Sequence, residues 1–273
     1  MTVEYSARSH VGFVRENNED NLYVEGVMLT PEIRERPFAI DGVADTPAIF
    51  AVCDGMGGEE DGEVASLLAV QTLSDSEGII KAAISERLDE TVQSYATVVS
   101  ETVRAKTADS GKRTGTTLAL AIAADNAVSC YNIGDSRIYC YRKAGFRQIT
   151  NDHTVAAGQI KDGLITVSHA SELKGGNKLT RCIGIGDDSI VESYPPITGK
   201  CRILICSDGL TDLVSADEIE TVLRDSPRTA YAADSLLDAA LRYGGKDNTT
   251  VIVIDVKAPK PPILHSFAKI LKG

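Results

Sequence analysis

An α+β fold, with helices layered on antiparallel sheets, is the class that this 273-residue chain predicts. Two patterns carry the prediction. From Thr114 onward, short strand-like runs follow one another across turns such as Ala124-Asp125-Asn126 and Lys143-Ala144-Gly145, which implies hairpins and antiparallel pairing. Between Val64 and Val103, apolar residues recur at three- and four-residue spacing, the stripe of amphipathic helices that face a core. Long helices beside many hairpin strands form α+β layers. An apolar fraction of 43% supports one continuous core, and no low-complexity linker or fixed-period repeat divides the chain. We therefore expect a single domain over residues 1–256, followed by a tail over 257–273.

Taken in order, residues 11–27 read as strands around a short turn, and Ala48–Cys53 as a strand of the continuous apolar kind. Between them, residues 28–47 carry Pro31, Pro37 and Pro47 with mixed charge and read as an exposed excursion. Val64–Gln71 reads as one helix. Ile80, Ile84, Leu88, Val92, Tyr95, Val99 and Val103 mark the stripe of a second, long one. Strands are expected at Thr116–Ala123, Ala127–Ile133, Arg137–Arg142 and Arg147–Thr150. Val155–Ile160 has helical character, and Lys161–Lys178, rich in Gly, Ser and Lys without a clean period, reads as a mobile flap. Cys201–Ser207 is a buried strand, Ala216–Leu223 and Thr229–Tyr243 are helices, and Thr249–Val256 closes the domain. The tail reads as a frayed terminus, with docking as the sharper alternative.

The net charge of -11 argues against a non-specific nucleic-acid or anionic-membrane binder, because phosphate contacts need a basic surface. Six cysteines lie mostly in apolar runs with no C-x-x-C spacing, so buried free thiols are expected rather than zinc or redox chemistry. With an N-terminus that lacks signal-peptide features and no apolar stretch of bilayer length, the expected location is the cytoplasm.

The chemistry is in the acids. Asp54 ends the run Ala48–Cys53 and is followed by Gly55, Met56 and Gly57; Cys201–Ser207 leads into Asp208; Asp247 and Asn248 open the last strand; Asp135 follows Ile133-Gly134; and Asn17-Asn18-Glu19-Asp20 precedes Leu22. Any one of these could be an ordinary turn aspartate. Several carboxylates at the ends of buried strands would repel one another if gathered, unless a cation joined them. Oxygen ligands favour magnesium or manganese over zinc. The four histidines show no H-x-x-x-H or H-x-E pattern. Two such ions would hold a water acidic enough to serve as a hydroxide nucleophile. Arg15 could fork onto two phosphate oxygens, or could equally be a surface ion-pair partner. A P-loop, a full dinucleotide loop, a cysteine-phosphatase loop and an aspartyl-phosphate motif are all missing from the sequence, so a protein-side nucleophile is unsupported.

Read together, Arg15–Asp20, Val52–Gly58, Thr114–Thr117, Ile133–Arg137, Thr150–Thr154, Leu179–Arg181, Cys206–Asp212 and Gly245–Val251 resemble, in order, the motifs of the PP2C (PPM) family of metal-dependent serine/threonine protein phosphatases, bacterial type. The resemblance runs from about Arg8 to Asp255. It implies a four-layer α-β-β-α sandwich, two antiparallel sheets flanked by helix pairs, with a two-metal centre for Mn2+ or Mg2+ at one end. By that likeness, Asp54 bridges both ions and the Gly55 carbonyl joins one. Asp20, Asp208 and Asp247 complete the shells, Glu19 holds metal-bound water, and Asp135 with Asp208 takes a weaker third ion. Arg15 binds the phosphoryl group. The implied reaction is hydrolysis of phosphoserine and phosphothreonine on proteins by a metal-bridged hydroxide, by a monomer that opposes a serine/threonine kinase. Residues 155–178 correspond to the family's variable flap. Two departures stand out: Met56 replaces the histidine of animal members and cannot donate a proton, and the 28–47 excursion is long for a compact bacterial member. The rival readings are a catalytically inactive relative that binds phosphopeptides or serves as a scaffold, and an enzyme of the same scaffold acting on a small phosphometabolite or one dedicated partner.

Overall fold

In the computed structural model, which describes residues 2–57, 61–108, 113–186 and 189–257, two antiparallel sheets lie between two layers of helix. The first sheet contains β1 (Thr2–His10), β4 (Phe38–Asp45), β9 (Arg137–Arg142), β10 (Gly145–Gln148), β12 (Cys201–Cys206) and β13 (Thr249–Val256), ordered β10-β9-β12-β13-β1-β4. The second contains β2 (Asp20–Val24), β3 (Val27–Met28), β5 (Ala48–Met56), β7 (Leu118–Ala124), β8 (Ala127–Ile133) and β11 (Glu192–Thr198), ordered β11-β8-β7-β5-β2-β3. The two-residue β6 (Gly115–Thr116) adds to the end of β5.

The unbroken apolar runs are explained by strands covered on both faces. In β5, Ala48, Phe50 and Val52 point between the sheets, where they meet Leu22, Ile203 and Ile252. Ile49, Ala51 and Cys53 point outward onto α1 (Gly62–Ala83) and α2 (Leu88–Thr107), among Leu73, Val99 and Val103. On the far side, Leu204, Val251 and Val253 meet α4 (Asp208–Thr211), α5 (Ala216–Asp225) and α6 (Thr229–Arg242) through Leu210, Ile219 and Leu236. Each large apolar side chain fully withdrawn from water contributes about 1.5–3 kcal/mol, so three such cores hold the strand ends rigid. All six cysteines are free and buried, as their apolar neighbours imply.

Several elements differ from the sequence expectation. Residues 11–18 are loop, and the strands of that region are β2 and β3, joined at Glu25-Gly26. β1 lies upstream and is masked in the sequence by buried polar residues: Ser6 Oγ donates to Thr229 Oγ1 at 2.8 Å, and Arg8 is held between Asp41 and Asp234. The 28–47 excursion yields β4 at a sheet edge, where alternate residues face solvent. β11 hides behind Pro195 and Pro196, which an edge strand with an irregular register tolerates. The helix stripe divides elsewhere than expected: Ile80 belongs to α1, which continues to Ala83, and residues 84–87 form the turn before α2. A period alone does not reveal where a helix stops and a second one lands on the same sheet. The flap comprises α3 (Val155–Lys161) and a 3-10 turn at Val167–Glu172. The tail beyond Lys257 lies outside the described residues.

Candidate active site

At one end of the sandwich, strands of both sheets deliver acids to a common point. Asp20 opens β2 and Asp54 lies near the end of β5, directly opposite each other in the antiparallel register. Asp208 is the first residue of α4 after β12, and Asp247 precedes β13, the strand beside β12. Asp135 occupies the turn that carries the chain from β8 in one sheet to β9 in the other. Two glycines permit the close approach. A side chain on Gly55 would run into the Gly62 carbonyl at the start of α1, and one on Gly209 into the Asn248 carbonyl.

Hydrogen bonds fix these segments. The Asp54 N–H donates to Thr117 Oγ1 at 2.9 Å, and Thr117 Oγ1 shares a 2.6 Å bond with Ser136 Oγ, which ties the end of β5 to the Asp135 turn. Ser207 Oγ donates to Asp20 Oδ2 at 2.7 Å and accepts from the Thr250 N–H at 3.0 Å, joining the two sheets beneath the acids. Asn248 Oδ1 accepts from the Glu19 N–H at 2.8 Å, while its Nδ2 donates to the Val11 and Asn17 carbonyls. The sequence reading gave no role to Thr117, Ser207 or Asn248. Adjacency to Asp208 and Asp247 was the available signal for Ser207 and Asn248; for Thr117 there was none beyond its hydroxyl.

The acids lie in a hostile electrostatic setting. Burial, followed by the charges of Asp208 and Asp247, pushes Asp20 up to about 7. Burial together with Asp208, Asp20 and Asp135 raises Asp54 well above the usual carboxylate range. Asp135 rises to about 8 through burial and then Asp208 and Asp152; Asp208 rises to about 6 through burial and then Asp212 and Asp247. Burial also raises Glu19. Asp54 and Asp208 share a side-chain hydrogen bond.

These residues fit hard divalent cations. Asp20 is 1% exposed, and its Oδ1 has no hydrogen-bond partner among the described residues, so a desolvated carboxylate oxygen is left for another ligand. The donor set is oxygen throughout. Among the described residues, no three acidic, His or Cys side chains close into a ready-made cage.

Arg15, Glu19, Asp54, Gly55, Asp135, Asp208 and Asp247 all line one cavity of about 660 Å³, and Asp20 lies beneath it. Arg15 Nη2 sits 2.7 Å from Asp247 Oδ2 with half of its side chain exposed, and that hydrogen bond raises its pKa further. Arg113, which the sequence reading passed over, stands on the same wall as Cys182 and Ile185. A larger cavity of about 1060 Å³ runs under the flap and shares Asp135 and Asp208 with the first. Its wall includes Arg137, paired in a fork to Asp152 at 2.9 and 2.6 Å, and His153, whose Nε2 is 2.8 Å from Glu192.

Residues 38–242 match the protein phosphatase 2C family. The serine/threonine phosphatase stp of Listeria innocua is 32% identical over 252 residues, covering 91% of this chain and 94% of that protein. The serine/threonine protein phosphatase PstP of Mycobacterium tuberculosis is 32% identical over 260 residues, which span 94% of this chain and 45% of PstP. A crystal structure of the PstP catalytic domain in complex with two manganese ions superposes with a TM-score of 0.74 at 31% identity, covering 94% of this chain and all of that one.

Proposed function

The chain belongs to the protein phosphatase 2C family and is a metal-dependent protein phosphatase, and from that premise we propose that it hydrolyses phosphoserine and phosphothreonine on proteins, using manganese or magnesium, in opposition to a serine/threonine kinase. The observation that carries this reading is the convergence of buried acids with raised pKa values from both sheets, one of them with an orphan oxygen. In this proposal, Asp54, Asp20, Asp208 and Asp247 would hold two core ions, the Gly55 carbonyl would join one of them, Glu19 would order a water beside them, and Asp135 with Asp208 would hold a third. Bound there, the cations would acidify water and neutralise phosphoryl charge.

The remaining work falls to the chain itself. Arg15, on an open loop, exchanges Asp247 for two phosphoryl oxygens and so positions the phosphorus in line. Thr117 and Ser136 keep Asp54 and Asp135 aligned by hydrogen bonds that no cation has to supply. Met56 has no proton to give, so the departing serine or threonine oxygen is protonated by another group. The phosphatase unit spans residues 1–256, with residues 155–178 as its flap, and acts as a cytoplasmic monomer; no described helix is long and apolar enough to cross a membrane.

The test is release of phosphate from p-nitrophenyl phosphate and from phosphothreonine peptides by chelator-stripped full chain, with and without added manganese. No turnover of either substrate at saturating manganese would sink the reading. Arg15→Ala is expected to raise KM for a phosphopeptide about 10- to 100-fold, about 1.4–2.8 kcal/mol, the size of a lost charge-assisted contact. An unchanged KM would place Arg15 outside substrate binding.

A further inference from the structure

The 28–47 excursion, outside every motif that carries the chemistry, reaches back to the acidic segment. Asn18 is completely buried immediately before Glu19-Asp20. Its backbone N–H donates to Glu35 Oε2 at 3.0 Å, and its Nδ2 donates to the Arg34 carbonyl at 2.9 Å and to Ser9 Oγ at 3.1 Å. Its Oδ1 accepts from the Asp20 N–H at 3.3 Å. Asn18 is thus a junction with two excursion residues on one side and the Asp20 backbone on the other. The Arg34 side chain, only 17% exposed, extends beyond the junction, with its guanidinium 3.2 Å from Glu35 Oε1 and 3.6 Å from Glu63 Oε1.

The second half of the arrangement concerns charge. Glu63 lies in the first turn of α1 and repels Glu19, while Ser66 Oγ of the same helix donates to the Glu19 carbonyl at 2.6 Å. Drawing α1 onto Glu19 therefore brings two carboxylates together, and Arg34 is the cation that offsets the nearer helix charge. Stability alone does not account for this: Glu63 Oε2 is buried without a hydrogen-bond partner among the described residues, and Arg34 Nε meets Glu35 Oε1 at 3.2 Å as an ion pair without hydrogen-bond geometry, a costly way to hold a surface loop.

We propose that Arg34 and Glu35 are positioning residues, clamping Asn18 and screening Glu63 so that the Glu19-Asp20 segment is held ready for a divalent cation. The inference rests on the metal reading of that segment. Outer residues that orient metal ligands typically change affinity by one to two orders of magnitude when removed.

The experiment is calorimetric titration of manganese into chelator-stripped full chain, with thermal melting of the metal-free proteins alongside. Glu35→Ala is expected to bind manganese about tenfold more weakly than wild type. Glu35→Gln, which keeps an oxygen to accept from the Asn18 N–H, is expected to recover most of that affinity. Manganese affinity of Glu35→Ala within about twofold of wild type overturns the proposal, as do Ala and Gln variants weakened equally with an equal fall in metal-free melting temperature. Arg34→Met, which retains the carbonyl but strips Glu63 of its counter-charge, carries the same test if Glu35→Ala fails to fold. A wild-type chain that binds no manganese refutes the metal reading itself, a different result from equal binding by wild type and variants.

Discussion

Asp54→Asn is expected to abolish phosphate release, by at least about a thousandfold or about 4 kcal/mol of barrier, and at the same time to raise the melting temperature of the metal-free protein. The two effects share one cause. Asp54 is the acid on which Asp208, Asp20 and Asp135 all press, and its own pKa is raised most by burial. Asparagine keeps the shape and leaves the backbone bonds to Thr116 and Thr117 intact, since those use the Asp54 N–H and carbonyl rather than the side chain. It removes the charge that the neighbours resist, together with the charge a pair of cations needs. A variant merely damaged in folding would lose activity and melt lower. Residual turnover above about one hundredth of wild type would show that Asp54 is not central.

The second large effect is the response to pH and metal. Asp20, Asp208 and Asp135 are pushed to about 7, 6 and 8 from 3.8. With folded values above unfolded ones, the folded chain binds more protons in this window, so the stability these groups contribute is complete below about pH 4 and is lost as pH rises through about 6 to 8. Because the acids raise one another, their shifts do not add. A net loss of about 2–4 kcal/mol between about pH 5 and pH 8.5 is expected for the metal-free protein, at about 1.4 kcal/mol per pKa unit. Manganese at about one hundred times its dissociation constant restores about 2.7 kcal/mol and flattens the slope, because the cation takes over from the proton. Thermal melts at the two pH values with and without manganese check this. A metal-free midpoint that does not move with pH, or that manganese does not raise, contradicts it.

The acidic centre was legible because each of its members stands where an apolar run ends: Asp54 after Ala48–Cys53, Asp208 after Cys201–Ser207, Asp247 before Thr249–Val256. The strands buried on both faces were legible for the same reason, and the hairpins through their turns. Two other strands were not. β1 carries Ser6, Arg8 and Ser9 into the interior, each satisfied by a partner far away in sequence, so no local pattern announces it. β11 contains two adjacent prolines that a local reading takes as a break. The supporting shell was invisible in kind: Ser207 matters because Asp20 lies across the sheet seam, and Asn18 because Glu35 returns to it. Such roles exist only once the chain has folded.

Asp135 and Asp208 border both the smaller cavity and the larger one beneath the flap. The two cavities therefore meet at these acids. Under the proposed function, a polypeptide laid along both would bring its modified residue over them from either direction, so a phosphate in the middle of a long sequence would be as reachable as one near a terminus.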